Sequence, residues 1–451
     1  MKPVCYVCIT TKYPKLVTMK QKTIIKLLQA LIVFLVFAIT ANANNINDHY
    51  YINSETGNDA NNGTSLNSPW KSLENLEKTN FKAGDSILFS RNSSFSGGFT
   101  IKSSGRSGNP IVFSSYGVGS TPRFTNPSYS ILNGNMIQIH GSWVVIDGLC
   151  FKDGVSAADS AKNDVIRNIG AVFIAPKASH VTVKNCEAIN CPVSVRSFGE
   201  FALITRNNFH DCTDKFLCSP YWGPVAVMLM VSNQEVSHNI FEHYYKVGGA
   251  WGADGGAIEI DDTNPKKNIN IHHNKAYDTQ GFIETDGGGP FDSVTVAYNE
   301  ANVYEKFIGM TKGTNWFVYN NTILRVLKHP GYNDASWFNP GTKSTVWINN
   351  IFVLANGIQA FVHGSGAQQE HNHNLFFSVD NSASDPVPGK KGMGDIIGNP
   401  KFVNYANRDY HLAPGSPAIG AGKSLGLTFD LDGNPVPANR PPDIGAYQKQ
   451  K

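Results

Sequence analysis

The chain has 451 residues, of which 41% are hydrophobic and 11% aromatic, so it can bury a sizeable core and is not a disordered protein. Only 16% of the residues are charged while glycine and asparagine are plentiful, which favours strands and tight turns over charged helices. Residues 1–44 hold six lysines and no acid, leaving 32 basic and 35 acidic residues in the remainder. This balance argues against a strongly basic nucleic-acid-binding protein.

The N-terminus has the pattern of a secretory signal peptide. Lysines precede an apolar run at 27–39, and small residues follow at 41–44. The run is shorter than a comfortable membrane span, which favours cleavage over a lasting anchor. We therefore expect residues 1–44 to be a signal peptide and the protein to be secreted or periplasmic, with no membrane attachment after cleavage.

Five cysteines follow this segment, an odd number without metal-ligand spacing. They are Cys150, Cys186, Cys191, Cys212 and Cys218. Buried small side chains are the favoured interpretation, and Cys212 with Cys218 could form one local disulfide.

A loose internal repeat predicts the architecture. Short β-rich segments each end in asparagine and a turn, at intervals of 22 to 35 residues. The repeat asparagines are Asn185, Asn208, Asn239, Asn274, Asn299, Asn321, Asn350 and Asn374. Such a repeat is typical of a solenoid, in which each turn asparagine can hydrogen-bond to the next one in the stack.

The flanking segments fit the same scheme. Four stretches alternate as strands do, at 98–103, 110–114, 136–140 and 143–147. We expect one short helix near 70–78. The predicted organisation is an N-terminal cap (45–90), a parallel β-helix (91–398) and a tail rich in proline and glycine that packs on the last coils (399–451).

Two stretches resemble polysaccharide lyase family 6, which includes chondroitinase B and alginate lyases. The sequence FKAGDSILF…FTIKSSGRSGNPIVF…SWVVIDGLCFKDG is similar to that family's N-terminal coils, and GGAIEID…NKAYDTQG to its active coils. The resemblance covers roughly half of the chain. It implies an all-β, right-handed parallel β-helix, a reaction by elimination and a calcium-binding acid at Glu259.

The resemblance breaks in the next coil. The family carries Arg-His-Gly there, whereas this sequence has Glu284-Thr285-Asp286-Gly287. The family's catalytic arginine therefore cannot be carried over, and the chain is expected to be divergent at the catalytic coil.

Counting back from the turn asparagines aligns residues 257–261, 282–286 and 307–311 at intervals of 25. Because strand side chains alternate between faces, Ile258, Ile260 and Ile283 should point inward. The outward face then carries four carboxylates on neighbouring coils about 4.8 Å apart, from Glu259, Asp261, Glu284 and Asp286. Like charges at this spacing repel, which favours a functional use over a merely solvated acidic face.

Two functional uses of this block stay open. All four acids could bind Ca²⁺, which prefers clustered oxygen ligands. Alternatively, Glu259 and Glu284 could act as catalytic residues, with a Glu/Asp pair serving as the acid and base, or acid and nucleophile, of a glycosidase.

The same alignment predicts a groove. Arg196 falls two coils before Glu259, and the bare Gly309 comes after the block. Long loops at 213–224 and 246–257 should form its walls, and aromatic rings suit sugar faces. The predicted substrate-binding residues are Trp222, Trp251, Trp337, Asp254 and Asp286.

Elimination from a uronate needs a group that neutralises its carboxylate and a base that removes the C5 proton. Arg196 or a bound cation could neutralise the carboxylate. The catalytic base candidates lie in the HYYK segment, at His243, Tyr245 and Lys246.

The favoured prediction is a monomeric enzyme that degrades a uronate-containing polysaccharide or its oligosaccharides by β-elimination, as a polysaccharide lyase or a dehydratase. Its partner is the saccharide, with no nucleic acid and no membrane, and Ca²⁺ is the one cofactor considered. A glycoside hydrolase using a Glu/Asp pair is the close alternative. A non-catalytic glycan-binding solenoid is the third.

Overall fold

The computed structural model describes residues 48–156, 169–217, 222–249, 252–261, 264–287, 289–327, 334–379, 387 and 391–450. The predicted signal segment lies outside these residues. Three long parallel sheets dominate the described chain, so the predicted right-handed parallel β-helix is confirmed. None of the helices within the described ranges is long and apolar enough to cross a membrane.

The three sheets, here called A, B and C, run the length of the molecule. Sheet A contains His49–Ile52, Ser86–Ser90, Ile111–Tyr116, Val144–Asp147, Thr182–Lys184, Leu203–Thr205, Gln234–Ser237, Lys266–His272, Phe291–Ala297, Gly313–Tyr319, Lys343–Ile348 and Gln369–Asn372. Sheet B contains Ser94–Ser96, Arg123–Thr125, Cys150–Lys152, Glu187–Ile189, Asn208–Cys212, Ile240–Tyr244, Lys275–Thr279, Glu300–Val303, Thr322–Arg325, Ile351–Leu354, Leu375–Ser378 and Ile396–Ile397. Sheet C contains Phe99–Ile101, Ile137–Ile139, Val172–Ile174, Val193–Ser197, Val225–Leu229, Gly256–Ile260, Gly281–Thr285, Ile308–Met310, Ser336–Phe338 and Val362–His363.

Each coil contributes one strand to each sheet, in the order A, B, C. The strands at 98–103, 110–114, 136–140 and 143–147 that the sequence predicted are present, each within two residues of its predicted bounds. The interior is filled by the inward side chains of all three sheets, including Ile258, Ile260 and Ile283 as predicted. Burial of one continuous apolar column is the main favourable contribution to such a stack.

Several short elements lie before, between and after the strands of the three sheets. The only α-helix in the described ranges, Glu74–Lys78, falls within the predicted segment 70–78. 3₁₀ turns form at Leu132–Gly134 and Tyr405–Asn407, and antiparallel hairpins pair Lys246–Gly249 with Gly252–Asp254 and Phe402–Asn404 with Asp409–Leu412. The strands His49–Ile52 and Ser86–Ser90, in the segment expected to be a cap, already pair within sheet A.

The tail packs on the later coils. The buried side chains of Tyr410, Leu412 and Ile444 form a cluster with Leu324 and Ile351. Polar contacts reinforce this packing, since the Asn349 Nδ2 donates to the Lys423 carbonyl at 2.8 Å. The tail therefore covers part of the helix surface with both apolar and polar contacts.

The stacked asparagines form a buried ladder. Asn239 Nδ2 donates to Asn274 Oδ1 at 3.0 Å, and Asn274 Nδ2 donates to Asn299 Oδ1 at 3.0 Å. The ladder continues through Asn321, Asn350 and Asn374 and ends at Asp395. The predicted inter-coil hydrogen bonds are thus confirmed.

Two positions of the predicted ladder are wrong by one residue. Asn207, not Asn208, occupies the ladder, and Cys186 stands where Asn185 was expected. Asn185 has a positive φ of 52° and is the turn residue before the ladder position. In the next coil Arg206 is the turn residue, and Asn208 begins the strand Asn208–Cys212. The repeat alone did not show which residue of each segment enters the ladder.

Replacing Asn274 with alanine should lower the free energy of unfolding by about 2 kcal/mol, because buried partners in two coils lose hydrogen bonds. Asn274 donates to the Val236 carbonyl and to Asn299, and accepts from the Asn239 backbone. The exposed Asn407 is the matched control, and its alanine variant should unfold like the parent. Equal denaturation midpoints for the two variants would show that the ladder does not stabilise the fold.

Four cysteines lie in the described part of the chain. Cys150, Cys186, Cys191 and Cys212 are buried and carry free thiols, in agreement with the predicted role as small core side chains. Burial raises the pKa of Cys150 to about 11, so this thiol stays protonated near neutral pH. Cys218 lies outside the described residues.

Candidate active site

A row of outward side chains crosses the middle of sheet C. Strand pairing places Arg196 beside Met228, Met228 beside Glu259, and Glu259 beside Glu284. Glu284 pairs with Gly309, which in turn pairs with Trp337. The register predicted from the 25-residue interval is therefore confirmed, and the row from Glu259 to Trp337 spans roughly 14 Å.

Three carboxylates converge beside this row. One oxygen from each of Glu259, Asp261 and Asp286 lies within 4.8 Å of the others. Glu284 is outside this group, although it is the neighbour of Glu259 on the next coil. The block of four predicted acids is therefore an acidic triad (Glu259, Asp261, Asp286) with Glu284 beside it.

The donor set of the triad fits a hard divalent cation. Oxygen ligands bind Ca²⁺ at about 2.3–2.6 Å, so two ligands of one ion lie at most about 5 Å apart. The 4.8 Å limit on the triad meets this condition. Exposed Asp286 and half-buried Glu259 leave one side of the group open.

Electrostatic repulsion makes the triad costly without a counter-charge. Burial raises the pKa of Glu259 well above its usual range, and the charges of Asp261, Glu284 and Asp286 raise it further. Arg196 opposes this shift but does not cancel it. Glu259 consequently takes up a proton far more readily than an ordinary glutamate, unless a cation is bound.

Lys306 lies at the same face and was missed in the sequence. Its Nζ is 5.8 Å from the centre of the Trp337 ring. A side chain added at Gly309 would approach the Lys306 Cδ to 3.3 Å, so the bare glycine leaves room for the lysine stem. Its position directly before the aligned strand 307–311 was the available signal.

Acidic neighbours keep Lys306 charged. Burial disfavours the ammonium, but Glu305, Asp334 and Glu284 outweigh burial and raise the pKa of Lys306 above its usual value. Lys306 and Glu305 form a direct ion pair. Gln280 also donates to Glu305 at 3.2 Å, which fixes the carboxylate that holds the lysine.

Arg196 occupies its predicted register position, but its side chain is only 1% exposed. Its Nε donates to the Ile169 carbonyl at 2.8 Å, and its Nη2 lies 2.9 Å from the Met228 Sδ. Its charge still acts on Glu259. The arrangement suits a fixed positive charge beneath the row more than direct contact with a polymer.

Of the three predicted base candidates, His243 lies away from the row. His243 belongs to sheet B, where its Nδ1 is 2.8 Å from Asp211 and its Nε2 is 3.8 Å from Asp278. Tyr245 packs edge-on against Tyr304. The Lys246 Nζ lies 5.4 Å from the centre of the Phe216 ring, at the start of the hairpin that leads to Gly256. The structure therefore does not bring His243 to the row.

Only some of the predicted substrate-binding side chains lie in the described part of the structure. Trp337 and Asp286 lie in the row and beside it, as predicted. Trp222 is 45% exposed just before the strand Val225–Leu229. Trp251 and the side chain of Asp254 are outside the described part of the structure, and only the backbone of Asp254 is placed, in the hairpin.

Comparisons with known proteins bear on the fold. No protein-family model and no curated protein sequence matches the chain. Pectate lyase Pel9A superposes with a TM-score of 0.53 at 13% identity, over 89% of this chain and 96% of its own. The GH136 lacto-N-biosidase from Eubacterium ramulus gives 0.50 at 12% identity, over 77% of this chain and 67% of its own.

A third similar structure is XylC in complex with xylose, with a TM-score of 0.50 at 11% identity, over 89% of this chain and 98% of its own. Identities this low carry information about architecture and not about activity. Together with the sheet topology, they show that this chain is a right-handed parallel β-helix.

Proposed function

We propose that this protein is a carbohydrate-active enzyme that cleaves an acidic polysaccharide, or its oligosaccharides, by β-elimination along the row from Glu259 to Trp337. One observation carries the proposal: three clustered carboxylates that could bind a divalent cation lie near a charged lysine and a half-exposed indole. A cation and an ammonium suit the carboxylates of a uronate chain, and the indole suits a sugar face.

Solved structures with a similar fold support a carbohydrate substrate. A pectate lyase and a lacto-N-biosidase share the fold at TM-scores of 0.53 and 0.50. Both names describe enzymes of carbohydrates, one a lyase and one a biosidase. They support a carbohydrate substrate, while the choice of reaction depends on the side chains of this chain.

In the proposed reaction a base removes the C5 proton of the uronate, the C4–O bond breaks, and a C4=C5 double bond forms. Ca²⁺ held by Glu259, Asp261 and Asp286 would supply positive charge that makes the C5 proton more acidic. Lys306, which its acidic neighbours keep protonated, would donate a proton to the departing oxygen. Tyr245 and Lys246 stay the predicted base.

A glycoside hydrolase is the second candidate, favoured by one specific feature. The raised pKa of Glu259 is the property of a general acid. Its neighbour Glu284, about one coil spacing away, would be the nucleophile of a retaining mechanism.

The two candidates give different products. We would incubate residues 45–451 with polyuronates and with neutral glycans, following ultraviolet absorbance of the unsaturated product alongside new reducing ends. Absorbance that rises with reducing ends on a polyuronate supports elimination. Reducing ends without absorbance support hydrolysis, and binding without either product would overturn both in favour of a glycan-binding solenoid.

Asparagine at Asp261 or Asp286 should raise the Ca²⁺ concentration needed for half-maximal activity by about tenfold or more, because each variant removes a charged ligand. Activity is measured after chelation and stepwise return of Ca²⁺. Glu55→Gln, at an exposed acid of the N-terminal segment, is the matched control. Full activity of all variants in excess chelator would remove the cation from the proposal.

A further inference from the structure

A second cluster of possible ligands lies on sheet A, on a different sheet from the acidic triad. One ring nitrogen from each of His238, His272 and His273 lies within 4.8 Å of the others. The three rings line a cleft of about 830 Å³, whose far wall is formed by tail residues 427–430 and Gly433. No part of the proposed reaction uses this cluster.

The stacking of coils creates the cluster. His238 and His273 precede the ladder asparagines of successive coils, both with positive φ, so their rings stack 4.9 Å apart at the same corner. His272 is the last residue of the strand Lys266–His272, and its ring meets that of His273 edge-on at 5.0 Å. Three imidazoles are thus held by backbone geometry and not by a mobile loop.

Hydrogen bonds fix which nitrogens are available. The Nε2 of His272 lies 3.2 Å from the Glu235 carboxylate, and the Nε2 of His273 lies 3.4 Å from the Phe429 carbonyl. Both partners are acceptors, so both Nε2 atoms carry the proton. The two Nδ1 atoms then lie 2.8 Å apart. When both rings are neutral, two lone pairs meet there, and either a shared proton or a bound cation relieves their repulsion.

We propose that His238, His272 and His273 form a binding site for a divalent transition-metal ion of the zinc class. Imidazole nitrogens suit Zn²⁺, and three histidines with one open position are a known coordination pattern. Zn–N bonds of about 2.0–2.1 Å would set the nitrogens about 3.3 Å apart, so binding would move the His272 and His273 Nδ1 atoms slightly apart and bring the exposed His238 closer by a side-chain rotation.

Glu235 orients the site without touching the metal. Its carboxylate accepts from the His272 Nε2, an arrangement that fixes a ligating ring and raises its basicity. The Ser237 hydroxyl also donates to the Glu235 carboxylate, at 3.0 Å. The Phe429 carbonyl, which belongs to the tail, accepts from the His273 Nε2 and orients that ring in the same way. An ion bound here would therefore link the tail to the coils.

The test uses protein purified without a polyhistidine tag and stripped with chelator. Titration with ZnCl₂ by calorimetry should give one site per chain, and Co²⁺ should give the visible absorption of a four-coordinate nitrogen site. His272→Gln and His273→Gln should each weaken Zn²⁺ binding by about tenfold or more, and Glu235→Gln by about tenfold.

Two controls make the outcome decisive. His140→Gln, at an exposed histidine of the same protein, should bind Zn²⁺ like the parent. Glu259→Gln should also leave Zn²⁺ affinity unchanged, which separates this site from the proposed catalytic one. No Zn²⁺ binding by the parent, or unchanged affinity in the His272→Gln/His273→Gln double variant, would overturn the proposal. The Co²⁺ spectrum of the parent tests the site independently of the variants, so the test does not depend on their folding.

Discussion

Replacing Glu259 with glutamine should lower turnover by at least about 100-fold and, at the same time, stabilise the cation-free protein above neutral pH. The loss of turnover follows from its place in the triad. The gain in stability follows from its raised pKa, because the folded protein must ionise this carboxyl against burial and three neighbouring acids. Few substitutions are expected to act in opposite directions on activity and stability.

The raised pKa of Glu259 determines how the stability of the protein changes with pH. Since folding raises the pKa of Glu259, the folded state binds more protons than the unfolded state between the two pKa values. Stability therefore falls as pH rises from the ordinary glutamate pKa through the folded one, and the loss persists above it. Glutamine does not ionise, so the Glu259→Gln variant should lose less stability than the parent over that pH interval.

The measurement is the thermal midpoint of the parent and Glu259→Gln in chelator, at pH 5 and at pH 8. We expect the variant to exceed the parent at pH 8 by more than it does at pH 5. Added Ca²⁺ should then raise the midpoint of the parent more than that of the variant. A variant that is less stable than the parent at pH 8 would contradict the electrostatic description of the triad.

Replacing Lys306 with methionine is the second large effect we expect. Turnover should fall by about 100-fold or more, because the charged amine that faces the row is lost. Arginine at this position keeps the charge and should restore substrate binding (KM) more than turnover, since its pKa suits proton donation less. Lys71→Met, at an exposed lysine near the N-terminal helix, should behave like the parent.

Stability must be separated from catalysis in this case. Lys306 and Glu305 are both largely buried, so removing the lysine alone leaves a carboxylate without its partner. Loss of one partner of a buried ion pair costs about 3–5 kcal/mol. The double variant Glu305→Gln/Lys306→Met relieves that cost. If it folds with the stability of the parent and still turns over substrate at the parent rate, Lys306 has no role in the reaction.

The row on sheet C could be predicted because a β-helix repeats its register. The equal 25-residue interval between the strands 257–261, 282–286 and 307–311 indicated which residues are neighbours, and strand alternation indicated which side chains point outward. Glu259, Glu284, Gly309 and Trp337 followed from those two rules alone. The error of one residue at Asn207 did not affect the predicted row, because the later ladder positions were correct.

The rest depended on contacts that strand patterns do not encode. Arg196 is outward in register yet buried, because Gly170 lies against it and the Ile169 carbonyl accepts its hydrogen bond. His243 sits at a positive φ of 55° on sheet B, paired with two aspartates, and a count along the chain could not show this. Lys306 precedes its strand, and its stem lies against the bare Gly309, a contact that a count along the chain does not show.

A crystal structure of Glu259→Gln with a bound oligouronate would show directly whether the saccharide binds along sheet C. We expect sugar density from residue 259 to Trp337, with a substrate carboxylate near Lys306 and a ring against the indole. Saccharide bound only elsewhere on the surface, with this row left solvated, would contradict it.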